Sequence, residues 1–254
     1  MNPPFKLIIL TLTFGLTVFV NAQTPKSIDF ISSIKNYDLS KLWRADSIQT
    51  ESDGDKIPFP EPLGYIGDSF RRFYIHYITV TRSKRDSYQY NVFGKTRVKE
   101  NICTFRGTIT VKKALLYQES EDPRYKQGSV ICDVVFYEDK AQSASGLIKG
   151  TLTSGFYLDN NSNLHYDALM LVADGYYNNQ CGATWTSYKT RKSKKCNWGD
   201  FRMPDSRELD QGAGDVSINQ KFIKFGWETF VKAYIGNQDE QKKALEIENK
   251  KWWE

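Results

Sequence analysis

The densest collection of reactive side chains lies between residues 186 and 215, TSYKTRKSKKCNWGDFRMPDSRELDQGAGD. Its first half carries Lys189, Arg191, Lys192, Lys194 and Lys195; its second half carries Asp200, Asp205, Glu208, Asp210 and Asp215 in a loop loosened by Gly212 and Gly214. Carboxylates spread along a flexible loop are the chemistry of a hard-cation site, for which Asp205, Asp210 and Asp215 would be the ligands. Two of them held about 5 to 9 Å apart could also serve glycoside hydrolysis. The basic half suits lipid phosphates, polyanionic glycans or nucleic acid, but the acids that follow neutralise it, which argues for a solvated loop.

Other candidate chemistry is incomplete. YIGDSF (65–70) resembles the nucleophile block of GDSL-type hydrolases, with Ser69 as the attacking group. That chemistry needs a histidine base preceded at three residues by Asp, and neither histidine, His76 or His165, has one. Both histidines read as polar strand positions. DNNSN (159–163) places Asp159, Asn161 and Asn163 at the first, third and fifth positions of a calcium loop, but Leu164 and Met170 occupy the positions where glycine and glutamate belong, so it reads as a hairpin turn. No cofactor motif is present. Cys103, Cys132, Cys181 and Cys196 lack the close pairing that zinc knuckles use.

Residues 1–22, MNPPFKLIILTLTFGLTVFVNA, have the order of a secretory signal peptide: an early lysine, an apolar run and a small residue at the expected cut. The apolar run is too short to span a bilayer, and no later stretch is apolar enough to cross one. Export favours two disulfides among the four cysteines. The formal net charge of +5, with both signs dispersed, argues against a nucleic-acid partner.

Positioning elements follow from periodicity. Residues 23–63 read as a polar N-terminal segment, with one short amphipathic stretch, SIDFISSIKNYDLSKLW, and a stiff Pro-rich lead-in, IPFPEPLG. Residues 64–215 hold seven runs rich in Tyr, Val, Ile, Phe and Thr, at 70–81, 88–98, 102–113, 129–138, 145–158, 164–174 and 183–190, separated by turn residues. The pattern predicts a mainly β antiparallel meander, closed as a β-barrel or sandwich, lipocalin-like in outline. Gly94, Gly107 and Gly150 mark the bends of a curled sheet. Residues 216–254 form a C-terminal helical segment: Ser217 and Gln220 suggest a capping box for a helix from about Ile218 to Ile235, stopped by Gly236 and Asn237. A charged helical tail ends in Trp252 and Trp253 and either docks or anchors a partner.

The phrases EPLGYIGDSFRRFYIHY, VFGKTRVKENICTFRGTIT, VADGYYNNQCGATWTSYKT, KKCNWGDFRMPDS and LDQGAGD resemble a family of uncharacterised secreted proteins of Bacteroidota type. That resemblance implies export and no particular activity. Cys181 stands where the family pattern carries an apolar residue. If the seven strands run strictly up and down, Cys103 meets Cys181 at one end and Cys132 meets Cys196 at the other.

These readings point to an exported, non-enzymatic binding or interaction protein of the cell envelope, periplasmic or extracellular. Its partner would be a small ligand, a glycan or an envelope protein. Tyr176, Tyr177, Trp185, Tyr188, Trp198, Asp200 and Arg202 are the candidate ligand contacts at one end of the sheet. The alternatives are an envelope glycan hydrolase using carboxylates of residues 200–215, and an outer-membrane assembly or structural partner anchored by Trp252 and Trp253.

Overall fold

The computed structural model describes residues 25–50, 55–235 and 237–254. The signal-peptide reading of residues 1–22 and the stop signal at Gly236 fall outside them. Before the main sheet come β1 (Ser27–Asp29), α1 (Ile31–Ile34), α2 (Ser40–Trp43), β2 (Ser47–Gln49) and β3 (Lys56–Pro58). The sheet itself is built from β4 (Leu63–Ile66), β5 (Arg71–Arg82), β6 (Gln89–Val98), β7 (Asn101–Tyr117), β8 (Lys126–Glu138), β9 (Gly146–Leu158), β10 (Leu164–Tyr166), β11 (Asn178–Ser187) and β12 (Ser193–Asp200). The helices α3 (Gln220–Ile223), α4 (Glu228–Tyr234) and α5 (Gln238–Glu248) complete the chain.

Eight of these strands close on themselves. Antiparallel pairing runs from β4 to β5, β6, β7, β8, β9, β11 and β12, and β12 returns to β4 through Cys196 opposite Ile66 and Trp198 opposite Gly64. Closure leaves no long edge to template aggregation. Alternation turns one residue in two inward, so Phe73, Ile75 and Tyr77 of β5, Phe105 and Ile109 of β7, and Val130, Cys132, Val134 and Phe136 of β8 are all buried in one core. Its centre is packed with rings: Phe105 lies 4.7 Å from Phe136, Tyr77 meets Phe136 edge-on at 5.9 Å, and Phe73 lies 6.0 Å from Trp198.

The expected bend glycines are where this packing needs them. A Cβ on Gly107 would stand 2.0 Å from the Val135 carbonyl oxygen, and one on Gly94 would stand 2.5 Å from the Phe105 ring. Gly107→Ala is expected to destabilise by about 3 kcal/mol because backbone must move to admit the methyl group. Gly182→Ala, where nothing lies within 4 Å, is expected to be neutral or slightly stabilising. Paired urea melts check both, and equal midpoints for the two variants would contradict this packing argument.

Four expectations are corrected. The stretch 164–174 is not a full strand: only Leu164–Tyr166 pairs, on the edge of β9, and residues 167–177 turn back across the ring's end. This removes one reversal from the meander, so β11 pairs directly with β9 and begins at the opposite end from β7. Secondly, and for that reason, Cys103 and Cys181 do not meet. All four cysteines are free and buried, so the Cys103–Cys181 and Cys132–Cys196 bridges are absent. Burial pushes the Cys103 thiol up to about 11 and the others up as well, which makes them inert apolar side chains.

Thirdly, the helix expected over 218–235 is broken at Gly226, whose φ of 100° is open to glycine and costly for other residues. Fourthly, Asn219 rather than Ser217 caps α3, its side chain accepting from the Lys221 N–H. The C-terminal helices nevertheless cover the outside of β4 and β5. Tyr65, Met203, Leu209, Phe222, Trp227 and Phe230 form a second core there, and Trp227 donates its indole N–H to the Phe70 carbonyl at 2.8 Å.

The polar N-terminal segment carries core residues of its own. Ile34, Leu39, Leu42 and Trp43 are buried, and Trp43 is inserted into the ring end, donating to Ser154 Oγ at 2.8 Å and meeting Tyr90 edge-on at 5.0 Å. Among the described residues, no helix is long and apolar enough to cross a membrane.

Candidate functional site

The ring has two ends. One is framed by Thr96, Glu138, Gly146 and Trp185 and opens into a cleft of about 530 Å³ whose outer lip carries Arg71, Lys194 and Lys195. Glu138 at its base is buried, which raises its pKa, yet it is well supplied with donors: the Thr96 hydroxyl, the Trp185 indole N–H at 2.8 Å and the Gly146 N–H at 2.7 Å. It is a knot that ties four strands, β6, β8, β9 and β11, together.

The other end is different. β4 is short, so above Gly64 the strands β5 and β12 part, and the Pro58–Pro62 segment lies across the gap. Between them is a cleft of about 450 Å³ reaching from Trp43, Tyr77, Leu152 and Trp198 inside the ring to Glu61, His76 and Trp253 outside it. Asp200, the last residue of β12, is 1% exposed and lines this cleft. One carboxylate oxygen, Oδ2, accepts from the Tyr166 hydroxyl at 3.0 Å and from Asn179 Nδ2 at 2.6 Å. Among the described residues the other, Oδ1, has no hydrogen-bond partner, and neither has the buried side-chain oxygen of Asn179. Burial pushes the Asp200 carboxyl up to about 8, against the pull of its two donors.

Each of these groups is placed by ordinary folding physics. Asn179 lies within the bulge that shifts the register of β11 between Asn178 and Cys181, and its amide also donates to the Leu42 carbonyl of α2. Tyr166 sits on the three-residue strand β10 and packs edge-on against Phe59 at 5.5 Å. The cleft's outer wall is the chain's own tail. Trp253 lies flat on His76 with ring centres 3.7 Å apart, Trp252 meets Tyr74 at 5.9 Å, and His76 Nδ1 contacts Glu61 at 3.0 Å. The two tail indoles are therefore half-buried on the protein's own sheet.

Of the seven candidate contacts, only Trp198 and Asp200 share this cleft. Trp198 donates its indole N–H to the Tyr77 hydroxyl at 3.1 Å. Trp185 stands at the other mouth, with Tyr188 partly buried near it. Tyr176 donates to the Asp167 carbonyl and packs on Phe201, while Tyr177 is 61% exposed outside the cleft. Arg202 is a loop staple: it pairs with Asp210 at 2.7 Å and also donates to the carbonyls of Gly212, Ala213 and Gly214.

The cation-site alternative is also taken apart. Asp205 is held by Lys195 and Arg207 and Asp210 by Arg202, and among the described residues no three His, Cys, Asp or Glu side chains converge as a metal site. Asp159, as the turn reading expected, accepts from the N–H groups of Asn161 and Asn163. The Gly-Asp-Ser block is the turn between β4 and β5.

Sequence reasoning missed Trp43, Glu61, Tyr166 and Asn179, and it named Trp253 as a docking tip without placing it at this cleft. The Pro-rich lead-in carried Glu61 and the NNQC stretch Asn179 in plain sight, but only ring closure shows that these residues meet. No family model, curated protein or solved structure matches the chain.

Proposed function

We propose that the protein is an exported, non-enzymatic binding protein of the cell envelope whose strand ring works as a small barrel, lipocalin-like in outline, and takes a small ligand in the Asp200 cleft. The observation that carries this reading is the pair of buried oxygens on Asp200 and Asn179, unpartnered among the described residues, on two residues that line an aromatic-walled cleft of about 450 Å³. Buried polar atoms in folded proteins are nearly always satisfied, and a pocket combining apolar walls with a few convergent polar groups and a perturbed carboxyl is the form ligand sites take. The ring's packed centre restricts the ligand to this opening rather than to a through-cavity.

Binding fits better than hydrolysis. The other carboxylates lining the cleft, Asp46, Glu61 and Glu254, contact Arg44, His76 and Lys251, and Asp205, Glu208 and Asp210 lie in salt bridges elsewhere. Packing of Trp252 and Trp253 on β5 likewise disfavours a membrane anchor at the tail. A ligand-observed NMR screen of small amines, sugars and carboxylic acids is expected to return binders that Asp200→Leu loses while keeping its fold. Turnover of a polysaccharide, abolished in Asp200→Asn, would replace this reading with the hydrolase.

A further inference from the structure

The charged groups lining the Asp200 cleft pair off, with one left over. Arg44 contacts Asp46 at 3.7 Å, His76 contacts Glu61 at 3.0 Å, and Lys251 contacts Glu254 at 3.1 Å. Among the described residues, no cation pairs with Asp200. The groups that face it are acceptors or neutral donors: Tyr166 and Asn179 by hydrogen bond, Glu61, Tyr77 and Tyr176 through the field they share with it. A buried carboxylate without a counter-charge is costly, and the structure holds that cost in place at a cleft rather than in a sealed core.

We infer that the ligand presents a primary ammonium group to Asp200 Oδ1 and the Asn179 side-chain oxygen, with its apolar part between Trp43, Phe59, Trp198 and Trp253. The inference rests on the binding role proposed above and names the class of ligand. An ammonium carries three donors and no acceptor, which suits Asp200 Oδ1 and the side-chain oxygen of its hydrogen-bond partner Asn179, two oxygens that no donor among the described residues reaches. A hydroxyl offers one donor and leaves an oxygen bare, and a carboxylate would face Asp200 with like charge. Aromatic walls add cation–π attraction to the ammonium. His76 and Glu61 sit together at the outer lip beneath Trp253, and Arg44 stands with Asp46 on the α2 side, so these basic side chains of the cleft contact carboxylates other than Asp200.

Three probes of one shape separate the head groups: benzylamine, benzyl alcohol and benzoate, titrated at pH 8 and followed by tryptophan fluorescence and calorimetry on the full chain. Benzylamine is expected to bind at least about tenfold more tightly than benzyl alcohol, and benzoate not at all. Because binding requires the ionised carboxylate, benzylamine affinity in the wild-type protein rises about tenfold per pH unit from pH 6 toward 8 and then levels, whereas benzyl alcohol shows no such slope. That profile needs no variant to fold. Asp200→Asn, checked for native melting, is expected to remove benzylamine binding and its pH slope together.

Equal binding of benzylamine and benzyl alcohol overturns the ammonium assignment but leaves the cleft a binding site. No response to any of the three overturns the assignment, while binders from the wider screen lost in Asp200→Leu keep the binding role. Displacement of benzylamine by calcium chloride alone would overturn it in favour of a metal ion.

Discussion

At pH 8 the Asp200→Asn variant is expected to unfold at a higher urea concentration than the wild type, and at pH 4 the two are expected to unfold together. Asp200 has an ordinary carboxyl value of 3.8 when the chain is unfolded and is pushed up to about 8 when folded. Below 3.8 both states carry the proton and the residue costs nothing. Between the two values the unfolded chain has released a proton that the folded chain retains, so stability falls as pH rises; above 8 the penalty is constant. The expected gain of Asn over Asp at pH 8 is on the order of 3 to 5 kcal/mol. Burial also raises the carboxyls of Glu138 and Asp167, but their contribution is common to both proteins and cancels in the difference.

Asn can keep the Tyr166 and Asn179 donors on its carbonyl, so the comparison isolates the charge. Melts that give the same difference at pH 4 and pH 8 would show that Asp200 is not the titrating group. A residue that destabilises its own fold at neutral pH is most simply retained for what it does at the cleft, the usual trade between stability and function. The same substitution is thus expected to gain stability and lose binding.

Trp43→Ala is expected to lose about 3 to 5 kcal/mol, the cost of emptying a large aromatic site that cannot collapse. Trp43 is 1% exposed, and its removal strands the Ser154 hydroxyl and the face of Tyr90. Because Leu39 N–H donates to Tyr90 Oη at 2.9 Å, loosening there frees the whole α1–α2 segment. Limited proteolysis between residues 30 and 50 is therefore expected to accelerate along with the drop in stability. Trp253→Ala, which loses a half-exposed ring, is expected to cost less than about 1 kcal/mol. If Trp43→Ala were as mild as Trp253→Ala, the N-terminal segment would not be part of the core.

Some of this was legible in one dimension. The alternation in ICTFRGTITV placed Cys103, Phe105, Ile109 and Val111 on one face, and those residues are buried. Five of the seven expected strands match β5 to β9 closely because period-two burial and turn residues are local properties of the chain. Within CNWGDFR, Trp198 and Asp200 line the cleft. Arg202, in the same phrase, serves the loop instead, because whether a guanidinium is free depends on the carbonyls that fold around it.

The sequence by itself determined the class of structure: antiparallel strands, their inward residues, the glycines that let rings pack against backbone, and a helical C-terminal segment. Only the tertiary structure decided which strand follows which around the ring. Losing one expected strand to a turn at residues 167–177 reversed the direction of β11, separated Cys103 from Cys181 and set Asn179 beside Asp200. Closure through β12 and β4 then brought together Trp43, Glu61, Tyr166 and Trp253, residues whose own surroundings in the chain carry no sign of one another. Local periodicity is set by backbone geometry within a few residues, whereas a site is set by contacts across the fold, such as the bond between Trp43 and Ser154, 111 residues apart.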